Sequence, residues 1–292
     1  MSALPYTRLI AGYDGSDHAA DGLALAELLS DVTGAELLVT AVVPQEFPYV
    51  PGTHEREQAL RSLARDMLVD AVAESDRVHT RVIAARAAAH GLHDLAESEG
   101  ADAIVVGSSR HGAIGRVLAG SVAERLLHGA PCPVTVAPAG YRDRGRGGLE
   151  VVACAFDGSD EARRAAEHAE YLARAAGATL RLLAVHEPEL MFGIDQIPGG
   201  YDRDELARTE RARLERALDE AAARVPPGVA VEHELLEGSA VEALAGAASD
   251  GVDLLTVGSR AYGPVRRVLL GGVSAGLVRS SPVAVLAVPR GG

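Results

Sequence analysis

One tetrapeptide occurs twice in the chain. Asp14-Gly15-Ser16-Asp17 returns as Asp157-Gly158-Ser159-Asp160, and each copy closes a short apolar run, LIAGY in the first case and VVACAF in the second. Further on, ADAIVVGSSRHG from residue 101 is answered by VDLLTVGSRAYG from residue 252. A Val-Leu pair, a glycine and a closing Pro-Val segment follow both. Self-similarity of this kind means two copies of one supersecondary unit, and a fold assigned without it would be wrong. The 292 residues suffice for two domains of ordinary size. The two motifs stand farther apart in the second copy, which therefore carries an insertion, placed at HEPELMFGIDQIPGGYDRDE against VPQEFPYVPGTHEREQ. The boundary falls at AGYRDRGRGG, residues 139–148, which is rich in Gly and Arg and has no apolar periodicity. The expected organisation is a first domain over 1–138, a solvated linker over 139–148 and a second domain over 149–292.

Each copy alternates apolar runs with helical stripes. In the first copy RLIAGYD, AELLVTAVV, VHTRVIAA, DAIVVG and PVTVAP read as strands. Asp17 is expected to cap the first helix, which carries Leu25, Leu28, Leu29 and Val32 at i, i+3, i+4 and i+7. The second helix shows a stripe of Leu60, Leu63, Ala64, Met67, Leu68, Ala71 and Val72. HDLAESEG ends a third helix and SVAERLLHG forms a fourth. The second copy repeats this order, with Leu214, Leu218, Ala221, Ala222 and Val225 as the stripe of its second helix. Near-continuous Val/Ile/Leu strands separated by helices imply parallel strands covered on both faces. Right-handed crossovers then make each unit a doubly wound α/β sheet. Such sheets bind ligands beyond the carboxyl ends of their strands, where the winding reverses.

Composition narrows what that ligand can be. The chain has no Lys, and its 28 basic residues are all Arg. This excludes the phosphate-loop lysine, a Schiff-base lysine and a kinase-type ATP lysine. A formal net charge of −13 opposes phosphate backbones, so nucleic acid is not an expected partner, whereas a mononucleotide at a locally favourable site is. No stretch reaches ~18 uninterrupted apolar residues, so no membrane span is expected. The start, MSALPYTRLIAGYDGS, lacks signal-peptide architecture, and the expected location is the cytoplasm. Cys132 and Cys154 sit in apolar runs and are expected to be buried rather than reactive. His90, His93 and Asp94 have no distant third ligand, and no metal site is expected. The chain contains no His-Glu-x-x-His and no activated cysteine context, and no catalytic residue is assigned.

The strand-end rule selects specific residues. Asp14, Gly15 and Ser16 follow the first strand, and Gly107, Arg110 and Gly112 follow the fourth. Gly120, Ser121 and Val122 open the fourth helix. Glycines allow close backbone approach, and a helix start offers free N–H groups. The Ser121 hydroxyl can donate to a phosphate oxygen, and Asp14 can accept from ribose hydroxyls. Equally, each residue taken singly can be a turn or a cap. The second-copy counterparts are Asp157, Gly258, Gly263, Gly271 and Gly272.

These segments resemble the universal stress protein family in a tandem form. The resemblance is carried by LIAGYDGSD and VVGSSRHGAIGRVLAGSVAERLLHGAPCPVTV, and by AFDGSDEARRAAEHA and TVGSRAYGPVRRVLLGGVSAGLVRSSPVAVLAVP. It implies five-stranded parallel sheets of order 3-2-1-4-5, of the adenine nucleotide alpha hydrolase-like type. It implies ATP or a related adenine nucleotide, with or without Mg²⁺, in some members and none in others. It places adenine near the end of the second strand, at Val42 and Val185, and pairs domains through their fifth strands. Here that pairing is expected within the chain, burying Val134, Val136, Val283 and Val285, with a further dimer of whole chains left open.

The ATP-binding members show Gly-x-x-Gly, nine residues, then Gly-Ser/Thr, and this chain departs from that pattern. In the first copy Gly107, Gly120 and Ser121 match, but Arg110 replaces the second glycine. In the second copy Gly258 and Gly271 match, Ala261 replaces that glycine, and Gly272 replaces the hydroxyl residue. The first copy is thus the expected nucleotide site, in a sensing protein whose state other proteins read. A nucleotide-independent interaction module with vestigial sites and a slow ATP hydrolase are the alternatives.

Overall fold

The computed structural model describes residues 4–45, 53–73, 75–108, 121–144, 147–187, 203–259 and 271–289. The first copy runs β1 (Arg8–Gly12), α1 (Asp17–Thr33), β2 (Glu36–Pro44), α2 (Thr53–Ala71), β3 (Val78–Ala85), α3 (Ala88–Glu99), β4 (Ala103–Gly107), α4 (Ser121–Leu127) and β5 (Val134–Ala137). A 3₁₀ turn follows at Tyr141–Arg144. The second copy runs β6 (Val151–Ala155), α5 (Asp160–Ala176), β7 (Thr179–His186), α6 (Arg203–Arg224), β8 (Val231–Glu237), α7 (Ala240–Ala248), β9 (Leu254–Gly258), α8 (Gly272–Ser280) and β10 (Ala284–Val288). The element order is the expected one, and the insertion lies between β7 and α6.

Each half forms a parallel 3-2-1-4-5 sheet, and the two join into one ten-stranded sheet, β3-β2-β1-β4-β5-β10-β9-β6-β7-β8. The joint is antiparallel, with Val136 opposite Val285 and Thr135 opposite Leu286. Thr135 and Leu286 hold equivalent positions, each two residues before the partner of Gly107 or Gly258, so the pseudo-two-fold axis passes between them. The valines expected at this seam, Val134, Val136, Val283 and Val285, are all buried. Pairing here consumes the backbone groups that two free sheet edges would otherwise expose. One apolar core lies under α1, α2, α5 and α6, and a second lies under α3, α4, α7 and α8, so both faces are covered across both halves.

Local chemistry explains the repeated motif. Asp14 Oδ1 accepts from the Ser16 N–H at 3.0 Å, Gly15 adopts φ +78°, and Ser16 Oγ accepts from the Ala19 N–H at 3.2 Å. The second copy repeats this with Asp157, Gly158 and Ser159. The helix cap is therefore Ser16, not Asp17. Ser16 keeps extended backbone while Asp17 is already helical, and only the former geometry lets a side chain reach the third N–H of the helix. The other recurring acid, in ADAIVVG and VDLLTVG, ties β4 and β9 to the strand beside them. Asp102 Oδ2 accepts from the N–H groups of Thr7 and Arg8, and Asp253 Oδ2 from those of Glu150 and Val151.

Two further expectations are corrected. Leu63 does not join the stripe of α2; it is 65% exposed, while Ala64, Leu68 and Val72 turn inward. The rest of the stripe holds, since Leu60, Met67 and Ala71 are also packed against the core, partly buried. The linker is solvated over Arg142, Asp143, Arg144, Gly147 and Gly148, but its start is anchored rather than loose. Asp21, itself buried, accepts from the N–H groups of Gly140 and Arg142, and the Arg142 guanidinium donates to Asp17 at 2.6 Å. Those bonds satisfy a buried carboxylate that would otherwise be costly. Among the described residues, no helix is long and apolar enough to cross a membrane.

Candidate functional site

A cavity of about 460 Å³ opens at the carboxyl ends of β1, β2 and β4. The residues brought to its wall include Asp14, Ser16, Val42, Gly107, Ser121 and Val122, which come from four separate segments of the chain. Val42, Ala88, Leu92 and Val106 make an apolar side, while Asp14, Ser16, Ser108 and Ser121 bring polar groups. This mixture of a greasy wall with a few converging polar groups is what small-molecule sites present. Asp14 has one oxygen in the turn to Ser16 and is otherwise exposed toward the opening.

Gly15 and Gly107 have structural duties. A Cβ on Gly107 would stand 1.7 Å from the His18 carbonyl oxygen, so the glycine exists to let α1 close onto the end of β4. Gly258 does the same for the Glu161 backbone in the second copy, where the approach would be 2.7 Å. Gly15 is needed for its positive φ, and its α-carbon faces Met67. Arg110, Gly112, Gly120 and Gly263 lie outside the described residues.

The second copy has a matching cavity of about 360 Å³, lined by Asp157, Val185, Gly258 and Gly271 among others. Its chemistry differs. Four carboxylates, Asp157, Glu161, Glu187 and Glu210, stand on its wall with one described arginine, Arg213. That guanidinium binds both oxygens of Glu210, at 2.7 and 2.8 Å, and also donates to the Asp157 carbonyl. The bidentate pair holds the Glu210 carboxyl below the ordinary range. Gly271 caps α8 without a side-chain bond, Gly272 is its first residue, and the Ser274 hydroxyl donates to the Gly258 carbonyl at 2.7 Å.

Several lining residues were not legible from motif spacing. His18 and Ser108 flank matched residues and signalled nothing by type. Glu210 and Arg213 reach the second cavity from α6, and Glu187 reaches it from the residue after β7. Both cysteines are free and buried, as expected; burial pushes the Cys132 thiol up to about 12 and raises that of Cys154, which disfavours their thiolates.

Comparison with known proteins agrees with this architecture. A profile of the universal stress protein family matches residues 5–138 and again 149–289. A universal stress protein of Mycobacterium tuberculosis is 26% identical over 302 residues, covering 96% of this chain and 99% of that protein. One from Thermus aquaticus is 36% identical over 133 residues, 44% of this chain and 96% of its own. The crystal structure of a universal stress protein from Archaeoglobus fulgidus superposes with a TM-score of 0.64 at 20% identity, covering 99% of this chain and 100% of that one. The chain belongs to the universal stress protein family and carries the family's domain twice.

Proposed function

We propose that the protein binds ATP or a related adenine nucleotide, mainly in its first half, and that another protein reads the bound and empty states in a cytoplasmic stress response. The observation that carries this reading is the convergence of Asp14, Val42, Ser121 and Val122 on one cavity of about 460 Å³. Val42 and Leu92 offer a flat base an apolar wall, Asp14 offers ribose hydroxyls an acceptor, and Ser121 offers a phosphate oxygen a donor. The second half lacks that donor at Gly272 and carries four carboxylates around its cavity, which favours a role as the pairing half. Calorimetric titration with ATP tests the reading. Ser121→Ala should weaken binding by about 1.5–3 kcal/mol, the worth of a hydrogen bond to a charged group. An unchanged affinity would remove Ser121 from the site.

A further inference from the structure

We propose that residue 18 and its counterpart, residue 161, set the charge each cavity accepts. His18 admits a phosphate-bearing anion to the first cavity, and Glu161 turns the same class of ligand away from the second. This rests on the nucleotide reading above and adds the residue that discriminates between the two sites.

The two positions are equivalent in detail. Each is the second residue of its helix, two places after the capping serine, Ser16 or Ser159. Each presents its backbone to the glycine that ends the facing strand, Gly107 or Gly258. Each lines its cavity. The chemistry on this shared scaffold is opposite. An imidazole donates through an N–H and is cationic when protonated, whereas a carboxylate only accepts and carries negative charge.

A second observation points to a ligand at His18. Its Nδ1 is buried and makes no hydrogen bond, and the same holds for the Oγ of Ser108, a residue only 5% exposed on the same cavity wall. Buried polar atoms without partners cost stability, and nearly all in folded proteins are satisfied. Both residues line the first cavity, and an oxygen-rich ligand group entering it offers each a partner. In the second cavity the wall already holds Asp157, Glu187 and Glu210 beside Glu161. Arg213 is committed to Glu210, and like charges facing across a partly desolvated cavity repel.

The test compares ATP with uncharged adenosine, both measured by displacement of a fluorescent adenine nucleotide from the full chain. Glu is tolerated at this helix position, since Glu161 occupies it in the second copy and acidic groups suit a first turn, so His18→Glu should fold. We expect it to lower ATP affinity at least about tenfold while adenosine affinity changes less than about threefold, with His18→Gln between. Glu161→His should raise the affinity of the second cavity for ATP. Unchanged ATP affinity in His18→Glu, or equal losses for ATP and adenosine, would overturn the charge assignment while leaving the nucleotide reading in place. A wild-type chain that binds neither compound overturns both.

Discussion

A methyl group on Gly107 would sit 1.7 Å from the carbonyl oxygen of His18. No side-chain motion relieves that overlap, because both partners are backbone. Gly107→Ala must therefore push α1 off the sheet, and we expect a loss of about 3 kcal/mol or more, at the upper end of overpacking effects. The matching Gly258→Ala meets the Glu161 backbone at 2.7 Å and should cost less. Urea unfolding without nucleotide checks both; a wild-type midpoint for Gly107→Ala would show that this glycine serves only a ligand. The motif spacing identified Gly107 as a site residue, and it does line the cavity, but the close approach it permits is helix to strand. A sequence pattern reports that a Cβ is not tolerated. It does not report what the Cβ would strike.

Strands and helices were legible at the scale of elements because their signals are local. VHTRVIAA is β3 residue for residue, and the repeat itself identified the fifth strands of both copies. The signal overreached at α2 by one residue: of the seven apolar residues in its stripe, six pack on the core and Leu63 does not. Leu68 is 1% exposed and Leu63 is 65% exposed, though they lie on the same helix. We expect Leu68→Ala to cost about 2–5 kcal/mol and Leu63→Glu to change stability by no more than about 0.5 kcal/mol. Thermal or chemical denaturation of the two variants decides it, and a large loss for Leu63→Glu would mean that the outer face of α2 is covered in solution. What remained illegible depends on distant segments meeting. The linker's attachment to Asp21 and the arrival of Arg213 at the second cavity are products of tertiary structure, with no periodic trace.

The two halves are pseudo-symmetric, and where they meet off the sheet the symmetry is broken by chemistry. Tyr6 from the first half packs on α5 of the second. Its hydroxyl lies 2.8 Å from His168 Nδ1, and its N–H donates to the Tyr171 hydroxyl at 3.1 Å. Leu25, Leu28 and Leu149 hold the corresponding places on the other side. Burial holds His168 down to about 4 from an ordinary 6.5, partly opposed by Asp102. The unfolded chain therefore binds a proton at His168 before the folded one does. This group's contribution is complete above pH 6.5 and is lost progressively as pH falls toward 4. The loss is on the order of 3 kcal/mol for a shift of that size. His168→Leu should flatten the fall in stability over that window relative to wild type; parallel pH curves would contradict it. The asymmetry that matters most for function lies between the cavities. Calorimetric titration of the intact chain with ATP, repeated on Asp14→Asn and Asp157→Asn, measures it most directly. We expect one strong site per chain, weakened by Asp14→Asn and indifferent to Asp157→Asn, with any second site at least about tenfold weaker. Two sites of equal affinity, or a strong site that depends on Asp157 instead of Asp14, would contradict it.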